Sequence, residues 1–212
     1  MDDRLTNLPV RELIERLATS DPIPGGGSAA ALAGAMAAAL VHMVVALTAG
    51  RPAAADDEPA LDAIAAEAIS AQSDLLRLAE LDAAAYDGVV RARRLPRGTE
   101  RERESRHVQV AAATREATTA PLETVRRAAD VLDLAERVTP IGNPNAVSDA
   151  GVAALLASAA MRGAALNVRI NLPHLPADDP LRAEAVAALD DLLASLEQRE
   201  AAVRHATESR LG

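Results

Sequence analysis

Cysteine, phenylalanine, tryptophan and lysine are absent from these 212 residues, and tyrosine occurs once, as Tyr86. Without cysteine there is neither a disulfide scaffold nor a thiolate nucleophile. Without large rings the core must be filled by Leu, Val, Ile, Met and Ala, which suits helices packed at short distance. Only Tyr86 is left to stack on a flat ligand. The 22 basic side chains, all arginine, face 31 acidic ones for a net charge of −9, which argues against nucleic acid and anionic membrane as partners. The four histidines, His42, His107, His174 and His205, show no close ligand spacing, so no protein-built metal site is expected. The start, MDDRLTNLPVREL, is acidic and amphipathic rather than a signal peptide, and a cytoplasmic location is expected.

What is present is organised around Pro22–Ala49, a proline-flanked glycine run opening onto a long segment of Ala, Gly, Leu, Val and Met. No Asp, Glu, Arg or Pro interrupts Ala29–Thr48, and Ser28 is suited to cap a helix there. Being apolar all round, this helix is expected to be surrounded by other helices. A membrane span is disfavoured, because alanine contributes little to insertion and no Arg-rich flank is present. Gly25, Gly26 and Gly27 place free backbone N–H groups at a helix start. Two readings stay open: a site for an anionic or carbonyl group, or a tight turn feeding a close-packed core helix.

Leu8–Thr19 reads as a short amphipathic helix with Pro9 in its first turn and Val10, Leu13, Ile14 and Leu17 on one face. A very long helix is expected over Ala60–Arg94. Its apolar seam, Leu61, Ile64, Ala68, Ala71, Leu75, Leu78, Ala85 and Val89, alternates steps of three and four and includes one carboxylate, Asp82. A carboxylate on an apolar stripe is costly unless hydrogen-bonded, and burial raises its pKa. Asp82 is therefore either a proton carrier, an ion-pair partner of an arginine, or a sign that the helix is wet at that point. Thr99 and Glu102 form a capping box for the next helix, which Pro121 is expected to kink or split. Ser148 is a candidate N-cap for a helix over Asp149–Asn171, packed through Val152, Leu156, Ala159 and Gly163. That face continues to Asn167 and Asn171, whose amides serve either a polar ligand or neighbouring backbone. Pro180 opens the last helix. No strand is expected: the fold class is an all-α helical bundle with long central helices, in a single domain over residues 1–212.

Four segments in order, PIPGGGSAA at Pro22–Ala30, LDAAAYDGV at Leu81–Val89 followed by Leu95-Pro96, GNPNAVSDA at Gly142–Ala150 and NVRINL at Asn167–Leu172, resemble the formiminotetrahydrofolate cyclodeaminase and methenyltetrahydrofolate cyclohydrolase family. The resemblance implies an all-α homodimer acting on the one-carbon bridge between two nitrogens of tetrahydrofolate. The folate is then the substrate and no permanently bound cofactor is implied. Cyclodeamination, releasing ammonia, is the first expectation; cyclohydrolysis to formyltetrahydrofolate is the alternative. By the same resemblance Asp82 is the candidate acid/base. Gly25, Gly26, Gly27, Ser28, Tyr86, Asn143, Asp149, Asn167 and Asn171 are candidate substrate-binding residues, and Arg94 and Arg97 are candidates for the folate carboxylates. The chain departs from the family pattern in carrying Arg97 where a lysine is frequent and in replacing a basic-aromatic stretch after Arg51 by Pro-Ala-Ala-Ala. That loss motivates a rival reading, a non-catalytic helical interaction protein on the same scaffold.

Overall fold

The computed structural model describes residues 4–211, and every described regular element is helical. The α-helices are α1 (Val10–Leu17), α2 (Gly26–Ala46), α3 (Glu58–Arg93), α4 (Glu100–Ile141), α5 (Val147–Asn171), α6 (Pro180–Ala194) and α7 (Leu196–Glu208). Short 3₁₀ turns cover Leu5–Asn7, Pro52–Asp57, Pro144–Ala146 and Leu172–His174. Four helices form the bundle. α2 packs on α3 and α5, α4 packs on the same two, and α6 and α7 lie against α4 and α5. The all-α bundle expected from periodicity is what forms.

The seam of α3 is buried as expected: Leu61, Ile64, Ala68, Ala71, Leu75, Leu78, Ala85 and Val89 all lie inside, and Asp82 is the half-buried member of the row. The largest enclosed side chains are aliphatic, among them Leu61, Ile64, Leu132 and Met161. α2 contributes mostly methyl groups, from Ala30, Ala31, Ala35, Ala37 and Ala38. A Cβ on Gly34 would meet the Leu75 methyls at 3.1 and 3.2 Å. The α2–α3 approach therefore depends on the missing side chain.

Several boundaries differ from expectation. Gly25, not Ser28, is the N-cap of α2, and Ser28 sits inside the first turn with its hydroxyl turned to α3. Ala146, not Ser148, caps α5. Pro9 is the N-cap of α1 rather than its first helical residue. The last helix is divided at Ser195 into α6 and α7. Pro121 does not split α4, which runs unbroken over 42 residues; burial of both flanking turns outweighs the lost backbone bond.

Two faces also turn out differently. α2 is not surrounded, since Met36, Met43 and Leu47 are exposed on its open side. On α5 the buried stripe is Ala150, Ala153, Ala154, Ala157, Met161, Ala164 and Val168, while Val152 and Ala159 are exposed. Both helices are apolar around most of their circumference, so periodicity has no polar face from which to choose the inner one.

α3 and α4 are 36 and 42 residues long and α2 is 21. At 1.5 Å per residue these are about 54, 63 and 31 Å. The α3–α4 hairpin therefore runs on past the start of α2, held there by a second small cluster of Ala85, Val89, Ala113 and Ala117. The start of α2 meets α3 at Asp82, where this hairpin emerges from the bundle.

Candidate active site

The loop before α2 contains a cis Ile23–Pro24 bond and leads into Gly25, whose backbone is extended and which offers no side-chain cap. The N–H groups of Gly26 and Gly27, in the first turn, consequently have no helical acceptor. Gly27 lies directly against Asp82: a Cβ built there would come within 2.2 Å of Asp82 Oδ1 and 2.5 Å of its Cγ. Only glycine leaves room for the carboxyl. At Gly26 the nearest neighbour of such a Cβ is Asn167 Nδ2 at 3.6 Å, an ordinary contact.

Ser28 ties the two helices together. Its Oγ lies 3.0 Å from the Ala79 carbonyl and 3.0 Å from Asp82 Oδ2. A carbonyl only accepts, and the hydroxyl has one proton. With Asp82 ionised that proton serves one acceptor at a time. With Asp82 protonated, the carboxyl donates to Ser28 Oγ and Ser28 donates to Ala79, so the chain of donors is complete. Burial raises the Asp82 pKa above the ordinary carboxylate value, against a smaller opposing effect of the Ser28 hydroxyl and backbone N–H. A carboxyl in this state can both take and return a proton.

Asp82 opens onto a cavity of about 200 Å³ lined by Gly25, Gly26, Gly27, Tyr86, Ala117, Asn167, Ile170 and Asn171, together with Pro22, Ile23 and Ala83. Asn167 Nδ2 donates to the Gly163 carbonyl at 2.9 Å, and Asn171 Nδ2 to the Ala117 carbonyl at 2.7 Å. The cavity is smaller than the ~300–1,000 Å³ typical of a drug-sized ligand, so it holds one end of such a molecule. A larger hollow between α3, α4 and α7 is lined by charged groups paired with one another, Arg127 with Asp130 and Arg199 with Asp133.

The structure thus gathers Asp82, Gly25, Gly26, Gly27, Ser28, Tyr86, Asn167 and Asn171 in one place, and separates four other candidates from it. Arg94 ends α3 and Arg97 lies in the following turn, both exposed. Arg94 is 12 residues beyond Asp82, about 18 Å along the axis. Asn143 lies at the opposite end of the bundle, where its Nδ2 donates to Leu47 O at 3.0 Å. Asp149 is in the first turn of α5, a helix length away from Asn171. Sequence reasoning missed Ala117 and Ile170 as lining residues. Ile170 shares the helical face of Asn167 and Asn171. Ala117 had a different signal: it is four residues before Pro121, and a proline leaves the carbonyl at that position without its helical donor.

The family model described as formiminotransferase-cyclodeaminase matches residues 9–191. The chain belongs to this family. A methenyltetrahydrofolate cyclohydrolase of Methylorubrum extorquens is 40% identical over 188 residues, covering 89% of this chain and 90% of that protein. A formimidoyltransferase-cyclodeaminase of Sus scrofa is 28% identical over 99% of this chain, which spans 38% of that longer protein. The crystal structure of a formiminotetrahydrofolate cyclodeaminase from Thermotoga maritima superposes with a TM-score of 0.86 at 28% identity, covering 97% of this chain and 98% of that one. The likeness extends over nearly the whole of both chains.

Proposed function

We propose that this chain is a folate one-carbon enzyme that works on the carbon joining N5 and N10 of tetrahydrofolate, with Asp82 as the proton carrier. The observation that carries this reading is the half-buried Asp82 carboxyl in the space left by Gly27, beside the free N–H groups of the α2 start. In the hydrolytic direction Asp82 takes a proton from water as its oxygen bonds to the methenyl carbon. The same proton passes to N5 as the carbon–N5 bond breaks; the remaining hydroxyl proton leaves to solvent as the carbonyl forms, and the formyl group stays on N10. The Gly26 and Gly27 N–H groups face the oxygen as it gains charge. No resident cofactor takes part.

The end-to-end relative at 40% identity favours the cyclohydrolase direction. Cyclodeamination, the first expectation from sequence, is the second reading and is favoured by the 0.86 structural match. There N10 attacks the carbon of the protonated formimino group, the N10 proton moves to Asp82, and Asp82 returns it to the amino group, which departs as ammonia. Absorbance of the methenyl chromophore separates the two. Loss of absorbance from methenyltetrahydrofolate supports hydrolysis, and its appearance from the formimino compound supports deamination. Neither change in purified protein would leave the non-catalytic interaction reading.

The exposed apolar row of α2 and α5, with Met36 at 55%, Leu166 at 64% and Ile170 at 67% exposure, supports a homodimer that covers it. The α1 face of Val10, Ile14 and Leu17, also exposed, adds to that surface. Light scattering on the purified chain at micromolar concentration tests this: a monomer overturns it.

A further inference from the structure

Asp149 lies at the far end of α5 from the cavity, half-exposed in the first turn of the helix. Among the described residues no hydrogen bond or ion pair holds its carboxylate. Asn143, in the loop before it, is tied to Thr48 and Leu47. The open face of α2 and α5 gives this free carboxylate a second place to go. The two helices run antiparallel, with Gly26 beside Asn167, Ala30 beside Gly163 and Gly34 beside Ala160. Met36 and Ala159, both exposed, stand level in the middle of that face. Ile170, which lines the cavity, is 11 residues after Ala159, and Ser148 is 11 residues before it, about 16 Å each way at 1.5 Å per residue.

Two copies of this face can meet about a two-fold axis in their plane in two ways. With the axis along the helices, cavity end meets cavity end, and the two unpaired Asp149 carboxylates gather at the other end. With the axis across the helices at Met36 and Ala159, each helix lies on its own reversed copy. The start of α5 then arrives at the partner's cavity, where the free N–H groups and positive dipole end of α2 favour a carboxylate. Shape along α2 favours this second pairing. Its open row, in steps of four and three, is Ala29 and Ala33 on the cavity half, Met36 in the middle, and Leu40, Met43 and Leu47 on the other half. Reversal sets the large residues of one copy against the small ones of the other.

We propose that the site is completed across this two-fold axis, and that Asp149 of the partner subunit is its second carboxylate, accepting the N–H edge of the bound pterin while Asp82 of the same site moves the proton. This rests on the folate and homodimer readings above. The 2-amino group and ring N–H of a pterin present two parallel donors, which a carboxylate matches with both oxygens. Asp149 and Asp82 of one chain therefore serve different sites.

The test is complementation between chains. Asp149→Asn alone should lower kcat/KM for methenyltetrahydrofolate by about tenfold to a hundredfold, mainly through KM, whereas Asp82→Asn acts on kcat. The two variants are then co-expressed with different tags and purified as a heterodimer. One of its sites carries both substitutions and the other neither, so it should regain about half the wild-type kcat/KM. A heterodimer no more active than the mean of its parents overturns the proposal and leaves the folate reading intact, because each site then draws both residues from one chain. Since the chain has no cysteine, the pairing is also read without activity. Met36→Cys, on the axis, should join two chains through a disulfide. The double variant Ser148→Cys/Ile170→Cys should do the same where neither single variant does. A folded dimer in which neither link forms overturns the proposal, as does a monomer. A wild type without turnover removes the folate reading and the ligand given to Asp149 with it, and the two links still decide the pairing.

Discussion

The two ends of α2 are built from similar residues and do opposite things. At its C-terminal end Thr48, only 2% exposed, donates to Val44 O at 2.6 Å and accepts from the Asn143 N–H at 2.8 Å. Asn143 donates to Leu47 O and accepts from the Asn145 N–H. Arg210 donates to the carbonyls of Thr139 and Gly142. A Cβ on Gly142 would lie 2.9 Å from both the Val138 carbonyl and a Val44 methyl. Glycine, asparagine and hydroxyl side chains there close a joint between α2, α4 and the chain end. About 30 Å away, at the N-terminal end, the same residue types leave N–H groups, two amide oxygens and a carboxyl facing a cavity. The difference is whether the polar groups find each other. Where they do, the motif is structural; where they do not, a ligand has something to bind.

The contrast predicts large effects on activity at one end and effects on stability at the other. Asp82→Asn should lower kcat by about 10²–10⁴-fold, the usual range for a general acid–base group, with the helical circular dichroism spectrum unchanged. Gly27→Ala should come close to that loss, because the new methyl and the Asp82 carboxyl claim the same space. Overpacking adds a destabilisation of about 1–3 kcal/mol, measurable by urea titration. Gly26→Ala, with its ordinary 3.6 Å contact, should retain activity within about threefold. Equal losses at the two glycines would undo the argument from the carboxyl's position.

The pH dependence has a definite sign. Asp82 is raised in the folded state chiefly by burial. In the hydrolytic direction the rate should rise with pH through a midpoint above the ordinary carboxylate range. Ser28→Ala removes an interaction that lowers the pKa, so it should move that limb further up. An acid whose folded pKa lies above its unfolded value stabilises fully below the unfolded pKa and loses that contribution as pH rises through the folded one. Asp82→Asn should therefore melt above the wild type at neutral pH. The gap should close as pH falls below the ordinary carboxylate range.

At the closed end, Thr48→Val removes the bond donated to Val44 and leaves the Asn143 N–H unmatched. It should cost about 1–3 kcal/mol of stability and leave kcat within about twofold. A large loss of activity in a well-folded Thr48→Val would mean that the two ends are coupled.

The residues taken as one site divide along this same line. Asp82 was legible because a heptad seam exposes any member that does not belong: eight of its neighbours in the row are apolar and buried. The glycine run was legible as a helix start, but not which glycine mattered, since only the approach of α3 distinguishes Gly27 from Gly26. Asn143 stood beside the others in the motif pattern, and its place at the joint depends on Thr48, 95 residues away. Pro121 was read as a break because a proline removes a backbone bond. What the chain does with the freed carbonyl depends on Asn171, 50 positions further on, and local pattern carries no trace of it.

Periodicity, the near absence of aromatic residues, and the capping box at Thr99 determined by themselves that this chain is a bundle of long helices. These are local properties, set by which side chains share a face within a few turns. Only the tertiary structure decided which apolar face of α2 and α5 turned inward, which glycine made room for the carboxyl, and which polar groups remained unpaired. Those outcomes are set by contacts between segments far apart in sequence. A buried polar group is satisfied or left free according to what arrives opposite it, and nothing in its own stretch of chain records that.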